Sequence, residues 1–228
     1  MSVALLLVGC TGPATVKHSG QGDEYSHYVS SMYRQPAVVH VPRTIEFPAS
    51  LAVAEIGQTT PSPRLLEKLR KAPELFRHVG ALPADFGPPG TDRNTGDRDP
   101  LPRLVAMARD QGADYLVICG AQVETRTRVT PVSALDLTII GAFVIPSREI
   151  VADARASASM IDVRAGTVVL SLGAQTTDTR YASAVGVEGD EDRVGQQTHD
   201  QSIDKLADQF IAEGKRRAAE EAAFDAQR

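Results

Sequence analysis

Between residues 112 and 129 the chain reads GADYLVICGAQVETRTRV, and the pattern leaves little choice of structure. A glycine suited to ending a helix comes first, then an unbroken apolar run over residues 115–119, then strict alternation. Val123, Thr125, Thr127 and Val129 fall on one side, and Gln122, Glu124, Arg126 and Arg128 on the other. A run that is apolar at every position suits a strand covered on both faces, whereas period-two alternation marks a strand with one face in water. One long strand is therefore expected to begin inside a covered sheet and to end beyond the cover, with the other segments packed around it.

Those segments read as strands and helices in turn. SLAVAEIG, residues 50–57, is a short apolar run closed by glycine and suits a first central strand. Pro61-Ser62-Pro63 then opens a helix from Arg64 to about Phe76, apolar at Leu65, Leu66, Leu69, Leu75 and Phe76 and kinked or split at Pro73. Residues 76–82 form a second strand, with His78 a surface residue of it. Residues 101–111 form a second helix with Pro102 in its first turn and Leu104, Val105 and Ala108 as its apolar face. Strand, helix, strand, helix, strand implies parallel pairs joined by crossovers. Downstream, residues 149–163 alternate, with Ala152, Ala154, Ala156, Ala158 and Met160 on one side. Side chains this small imply a helix lying close on that face. A tight turn at Arg164-Ala165-Gly166 makes a hairpin with residues 167–175. A polar, acidic loop is expected over 182–195 and a helix over 196–227, with Ile203, Leu206, Phe210 and Ile211 as its apolar stripe. The fold class is α/β: a mixed sheet with helices packed on it, in the order βαβαβ, antiparallel hairpin, C-terminal helix.

A chain of 228 residues that is 42% apolar and 23% charged has the material for one packed domain. Its net charge of −5 argues against a nucleic-acid partner, which calls for a basic face. The two cysteines, Cys10 and Cys119, lie in unlike settings and make a poor disulfide or metal pair. Cys119, inside the apolar strand, is expected to be a buried, unreactive thiol.

The chain opens with the apolar run MSVALLLVG, which ends at Cys10. It falls short of the roughly 20 apolar residues that a membrane-spanning helix needs. Leu7-Val8-Gly9-Cys10 resembles the lipobox of bacterial lipoproteins. The resemblance implies cleavage before Cys10 and lipid on that residue. Thr11 stands where an Asp would resemble an inner-membrane retention signal, which points to the outer membrane. No Lys or Arg precedes the run; a start a few codons upstream would supply that basic flank. Polar residues 11–48, with His18, His27 and His40 at spacings that fit no compact ligand motif, read as a tether. The expected layout is a signal peptide (1–9), a lipidated N-terminus and tether (10–48), the α/β domain (49–213) and a charged helical tail (214–228).

Motifs for chemistry are weak. GPPGT at residues 87–91 looks like the start of an ATPase phosphate loop, but Asp92-Arg93-Asn94 follows where such a loop needs a lysine and a hydroxyl. Asp92, Asn94, Asp97 and Asp99 suggest a calcium loop only loosely, since Gly96 falls at the fifth position and not the sixth. No cofactor, metal or nucleotide is expected. Residues 131–146, PVSALDLTIIGAFVIP, concentrate apolar side chains. They suit either a cover over the sheet or a contact surface for a protein or the lipid headgroup zone, with Leu137, Ile140, Phe143 and Ile145 as its contacts.

The order of elements, GADYLVICG at 112–120 and DVRAGTVVLSL at 162–172 together resemble a group of bacterial envelope lipoproteins that share the fold of the curli-secretion lipoprotein CsgG and the N-terminal domain of TolB. The resemblance spans about residues 51–211. It implies a CsgG/TolB-N-like fold and a non-enzymatic role in docking or assembly with other envelope proteins, as yet unidentified. An oligomeric secretion-type component is the alternative, and a periplasmic enzyme a more distant one, since neither G-x-S-x-G nor H-E-x-x-H occurs.

Overall fold

A computed structural model describes residues 15–19, 45–56, 58–84, 101–130, 146–183 and 187–225. In chain order the elements are β1 (Thr15–Ser19), β2 (Ala49–Glu55), α1 (Pro63–Arg70), β3 (Phe76–Ala81), α2 (Leu101–Asp110), β4 (Tyr115–Val129), β5 (Arg148–Asp162), β6 (Thr167–Ala182) and α3 (Val187–Asp225). They form one mixed sheet in the order β3-β2-β4-β5-β6, with β1 added against β4.

β4 is the strand around which the rest is arranged. Its apolar half, Tyr115 to Cys119, pairs parallel with Leu51 to Glu55 of β2. Its alternating half pairs antiparallel with β1, from Val123 to Thr127. Its other edge pairs antiparallel with β5 along all 15 residues. The apolar half is buried at every position because it has cover on both sides. Leu116 and Ile118 join Ala52, Ala54, Leu104 and Ala108 under α2. Tyr115, Val117 and Cys119 join Leu51, Val53, Leu69, Ile203, Leu206 and Phe210 under α1 and α3. Beyond Gly120, among the described residues, the cover continues on the α3 side, where Val123 packs with Ile150, Ala152, Ala154 and Val194.

The GADY and DVRAG segments are structural punctuation. Gly112 has φ 69°, a left-handed turn that ends α2 and leads into β4. Asp114 Oδ2 accepts the Ser50 N–H at 2.9 Å and Arg77 Nη2 at 2.5 Å, tying together the starts of β2, β3 and β4. Burial by itself would raise the Asp114 pKa, but these donors outweigh it and hold the carboxyl below its ordinary value. Asp162 Oδ1 accepts the N–H groups of Arg164 (2.8 Å) and Ala165 (2.9 Å), and Gly166 (φ 66°) closes the β5–β6 turn.

Several boundaries differ from those the sequence suggests. α1 stops at Arg70, ahead of Pro73, instead of running to Phe76. β6 runs to Ala182, well past residue 175, because β5 offers it a partner along its full length. α3 starts at Val187, so most of the expected acidic loop is helix. Val194 is fully buried there, packed with Ala152 and Ala154 of β5. Gly214 lies within the helix, as the expected span 196–227 has it. It lies so close to Leu75 that a Cβ would stand 2.9 Å from Leu75 Cδ1. The segment expected to be a tether also contributes structure: β1 pairs with β4, Ile45 is buried, and Phe47 meets Phe76 edge-on at 6.3 Å. The reason is that β2 ends at Glu55, which leaves the far edge of β4 free to be paired.

Candidate functional site

β2 ends on Glu55, the one charged side chain of that strand. It points to the same face as Leu51 and Val53, and the residue is only 1% exposed. The chain turns immediately and begins α1, whose N-cap residue Ser62 donates its N–H to Glu55 Oε2 at 2.6 Å. α3 lies across the same spot and brings His199 Nε2 to 3.7 Å from Glu55 Oε1. The other ring nitrogen, Nδ1, lies 3.4 Å from Asp200 Oδ1. In the neighbouring strand Cys119 stands directly beside Glu55, and its thiol donates to Ala54 O at 3.5 Å.

Burial dominates the electrostatics. It raises the Glu55 pKa, and the Ser62 N–H and the His199 charge offset this only in part. Burial also pushes the Cys119 thiol well above its ordinary value, with the Glu55 carboxylate adding to the effect. A thiol held neutral and shielded from solvent is a poor nucleophile. Next to this buried pair, Arg64, Arg193, Gln196, Gln197, Asp200 and Gln201 line a cleft of about 480 Å³ between the start of α1 and α3. Its lining offers guanidinium and amide donors and one carboxylate, a set suited to hydrogen-bonding a polar partner.

Because the folded-state pKa of Glu55 is raised, its contribution to stability is fully present below the ordinary value of 4.5 and is lost as pH rises through the folded-state value. Glu55→Gln keeps an acceptor for Ser62 and removes the buried charge. The variant is expected to melt near wild type on the acid side of 4.5 and to gain on wild type as pH rises. Thermal melts of both proteins across pH check this; a difference that does not change with pH would contradict it.

The residues singled out from sequence do not converge on this site. Cys10, Leu137, Ile140, Phe143 and Ile145 lie outside the described residues, as do His27, His40, the GPPGT segment and Asp92, Asn94, Asp97 and Asp99. His18 is in β1, paired in register with Glu124. His78 is an exposed residue of β3. Cys119 is a free, buried thiol. Among the described residues no group of three or more His, Cys, Asp or Glu side chains is placed to hold a metal ion, and no helix is long and apolar enough to cross a membrane. Glu55 and His199 went unrecognised in sequence, although a lone carboxylate in an otherwise apolar strand was a visible signal.

No family model matches the chain, and no curated protein does. Among solved structures the chain is similar to the PelC dodecamer from Paraburkholderia phytofirmans, at 16% identity over 85% of this chain and 94% of that one, with a TM-score of 0.31. It is also similar to lipoprotein GNA1162 from Neisseria meningitidis, at 19% identity over 62% of this chain and 91% of that one, TM-score 0.31. A third is the LpoB C-terminal domain from Salmonella enterica, at 12% identity over 68% and 96%, TM-score 0.29. At these identities and TM-scores the likeness assigns neither family nor function.

Proposed function

We propose that this chain is a non-enzymatic lipoprotein of the bacterial cell envelope, anchored in the outer membrane through Cys10 and facing the periplasm, where it acts as a docking or assembly factor. The observation that carries this reading is Leu7-Val8-Gly9-Cys10 at the end of an apolar run, upstream of an α/β domain. The GADY and DVRAG segments support the CsgG/TolB-N-like version of it: both act as turns and strand starts and neither bears on chemistry. The neutral, enclosed Cys119 and the amide- and guanidinium-lined cleft favour binding over catalysis.

Metabolic labelling with a palmitate analogue tests the anchor. Label on wild type and none on Cys10→Ser is the expected result, together with a shift of the variant out of the membrane fraction. Equal labelling of both would remove the basis of the proposal. Crosslinking in the native envelope then identifies the docked protein.

A further inference from the structure

We infer that the outer end of β6 is a self-pairing edge, through which two copies of this chain join their sheets about a two-fold axis. The phase of the hydrogen-bond ladder comes first. Thr130 donates its N–H to Ser147 O at 2.9 Å, and these two residues continue the β4–β5 register directly. In an antiparallel pair, bonded and non-bonded residue pairs alternate. Odd-numbered residues of β5 therefore bond to β4, and even-numbered residues bond to β6. Across the β5–β6 register, Ile150 faces Arg180 and Ala152 faces Asp178, so the even-numbered residues of β6 bond inward. Gln175, Thr177, Thr179 and Tyr181 turn their N–H and C=O groups out of the sheet.

Among the described residues β6 is the last strand on its side, and an edge of this kind is a template for another strand. Its inner part is blunted. Lys205 donates to Gln175 O at 2.8 Å, and Arg217 reaches Val169 O at 3.5 Å. Among the described residues the outer part, from Thr176 to Ala182, has no such cover, and Thr177, Thr179 and Tyr181 are exposed. Its sequence, TTDTRYA, is rich in residues that favour strands.

The outer part is also complementary to itself in one register. Antiparallel pairing centred on Thr179 places Thr177 against Tyr181 and Asp178 against Arg180, twice over, by symmetry. Thr179 falls in a bonded pair with its own copy, while Asp178 and Arg180 fall in the closer, non-bonded pairs, where opposite charges attract most effectively. Moving the centre to Thr177 would demand the Gln175 carbonyl that Lys205 already holds. Moving it to Arg180 would set two guanidinium groups against each other. Of these three registers the one centred on Thr179 satisfies both the ladder and the charges. It uses the strand edge and leaves the Glu55–His199 pair aside; Arg180 also meets Asp178 of its own chain at 3.8 Å and donates to Gln197 Oε1 at the cleft.

Sedimentation equilibrium of the full chain in density-matched detergent, over a range of concentrations, tests the inference. Wild type is expected to move from the mass of one chain to twice that mass as concentration rises. Thr179→Pro removes an outward N–H without touching the ladder to β5 and is expected to leave only monomer. Asp178→Arg sets like charges across the axis and is expected to do the same. Combining Asp178→Arg with Arg180→Asp restores both cross-pairs and is expected to restore the dimer. Circular dichroism melts confirm that each variant is folded, and the charge exchange keeps the test decisive if the proline variant does not fold. A wild type that stays monomeric throughout, or association that survives both single variants, overturns the inference. A charge-exchanged variant that remains monomeric overturns the register.

Discussion

Leu206→Ala is expected to lower the unfolding free energy by about 2–5 kcal/mol, the range for removing a fully buried leucine from a core that relaxes only in part. Leu206 is 1% exposed and belongs to the layer between α3 and the sheet, with Val117, Met160, Ile203 and Phe210. The wall facing it is β4 and β5, held by a ladder 15 residues long, so the hole cannot close by moving a strand. Urea unfolding measures the loss as a lower midpoint with an unchanged slope. Phe224→Ala, at a position 59% exposed near the end of the same helix, is expected to change stability by no more than about 0.5 kcal/mol. If the two variants cost the same, α3 is not docked as described.

Ala154→Leu has the second largest expected effect, a loss of about 1–3 kcal/mol by overpacking. Ala152, Ala154, Ala156 and Ala158 are 0–4% exposed and make a flat stripe along β5. Across from them α3 is also slim. Val194, Thr198 and Ser202, four residues apart, are each 0% exposed. The two hydroxyls are satisfied within the helix itself: Thr198 Oγ1 donates to Val194 O and Ser202 Oγ to His199 O, both at 2.7 Å. Small side chains on both partners let helix and strand approach closely, and a leucine at Ala154 has no space to enter. Thermal melts are expected to show a clear drop for Ala154→Leu. Ala154→Ser, which adds little volume, is expected to lie much nearer to wild type. The reverse order would mean that the stripe is not a close-packed seam.

Much of this was readable in the residues. The change from an unbroken apolar run to alternation in β4 marked where cover on both faces gives way to cover on one, and the burial of Leu116, Ile118, Val123 and Thr125 follows it. Alternating alanines in β5 announced a helix lying close, and that helix is α3. Asp162 and Gly166 were readable as a turn. Each of these depends on the periodicity or turn chemistry of a few neighbouring residues, which any short segment carries in itself.

What tertiary structure alone decided depends on residues far apart in the chain. Residues 15–19 have no pattern that demands a strand, and they become one only because β2 stops at Glu55 and leaves the far edge of β4 to be paired. The polar segment from Val187 to Gly195 reads as a loop until the alanine stripe gives Val194 a surface to be buried on. That position 214 within the helix must be glycine is likewise a tertiary matter, since Leu75 and Phe47 approach too closely for a side chain. The same holds for Glu55 and His199. Separated by most of the domain, they meet because the parallel pairing of β2 with β4 and the path of α3 bring one strand end under one helix face. Local sequence sets which conformations a segment prefers. Which partner buries it, and so which of its polar groups end up paired, is settled by the packing of the whole chain.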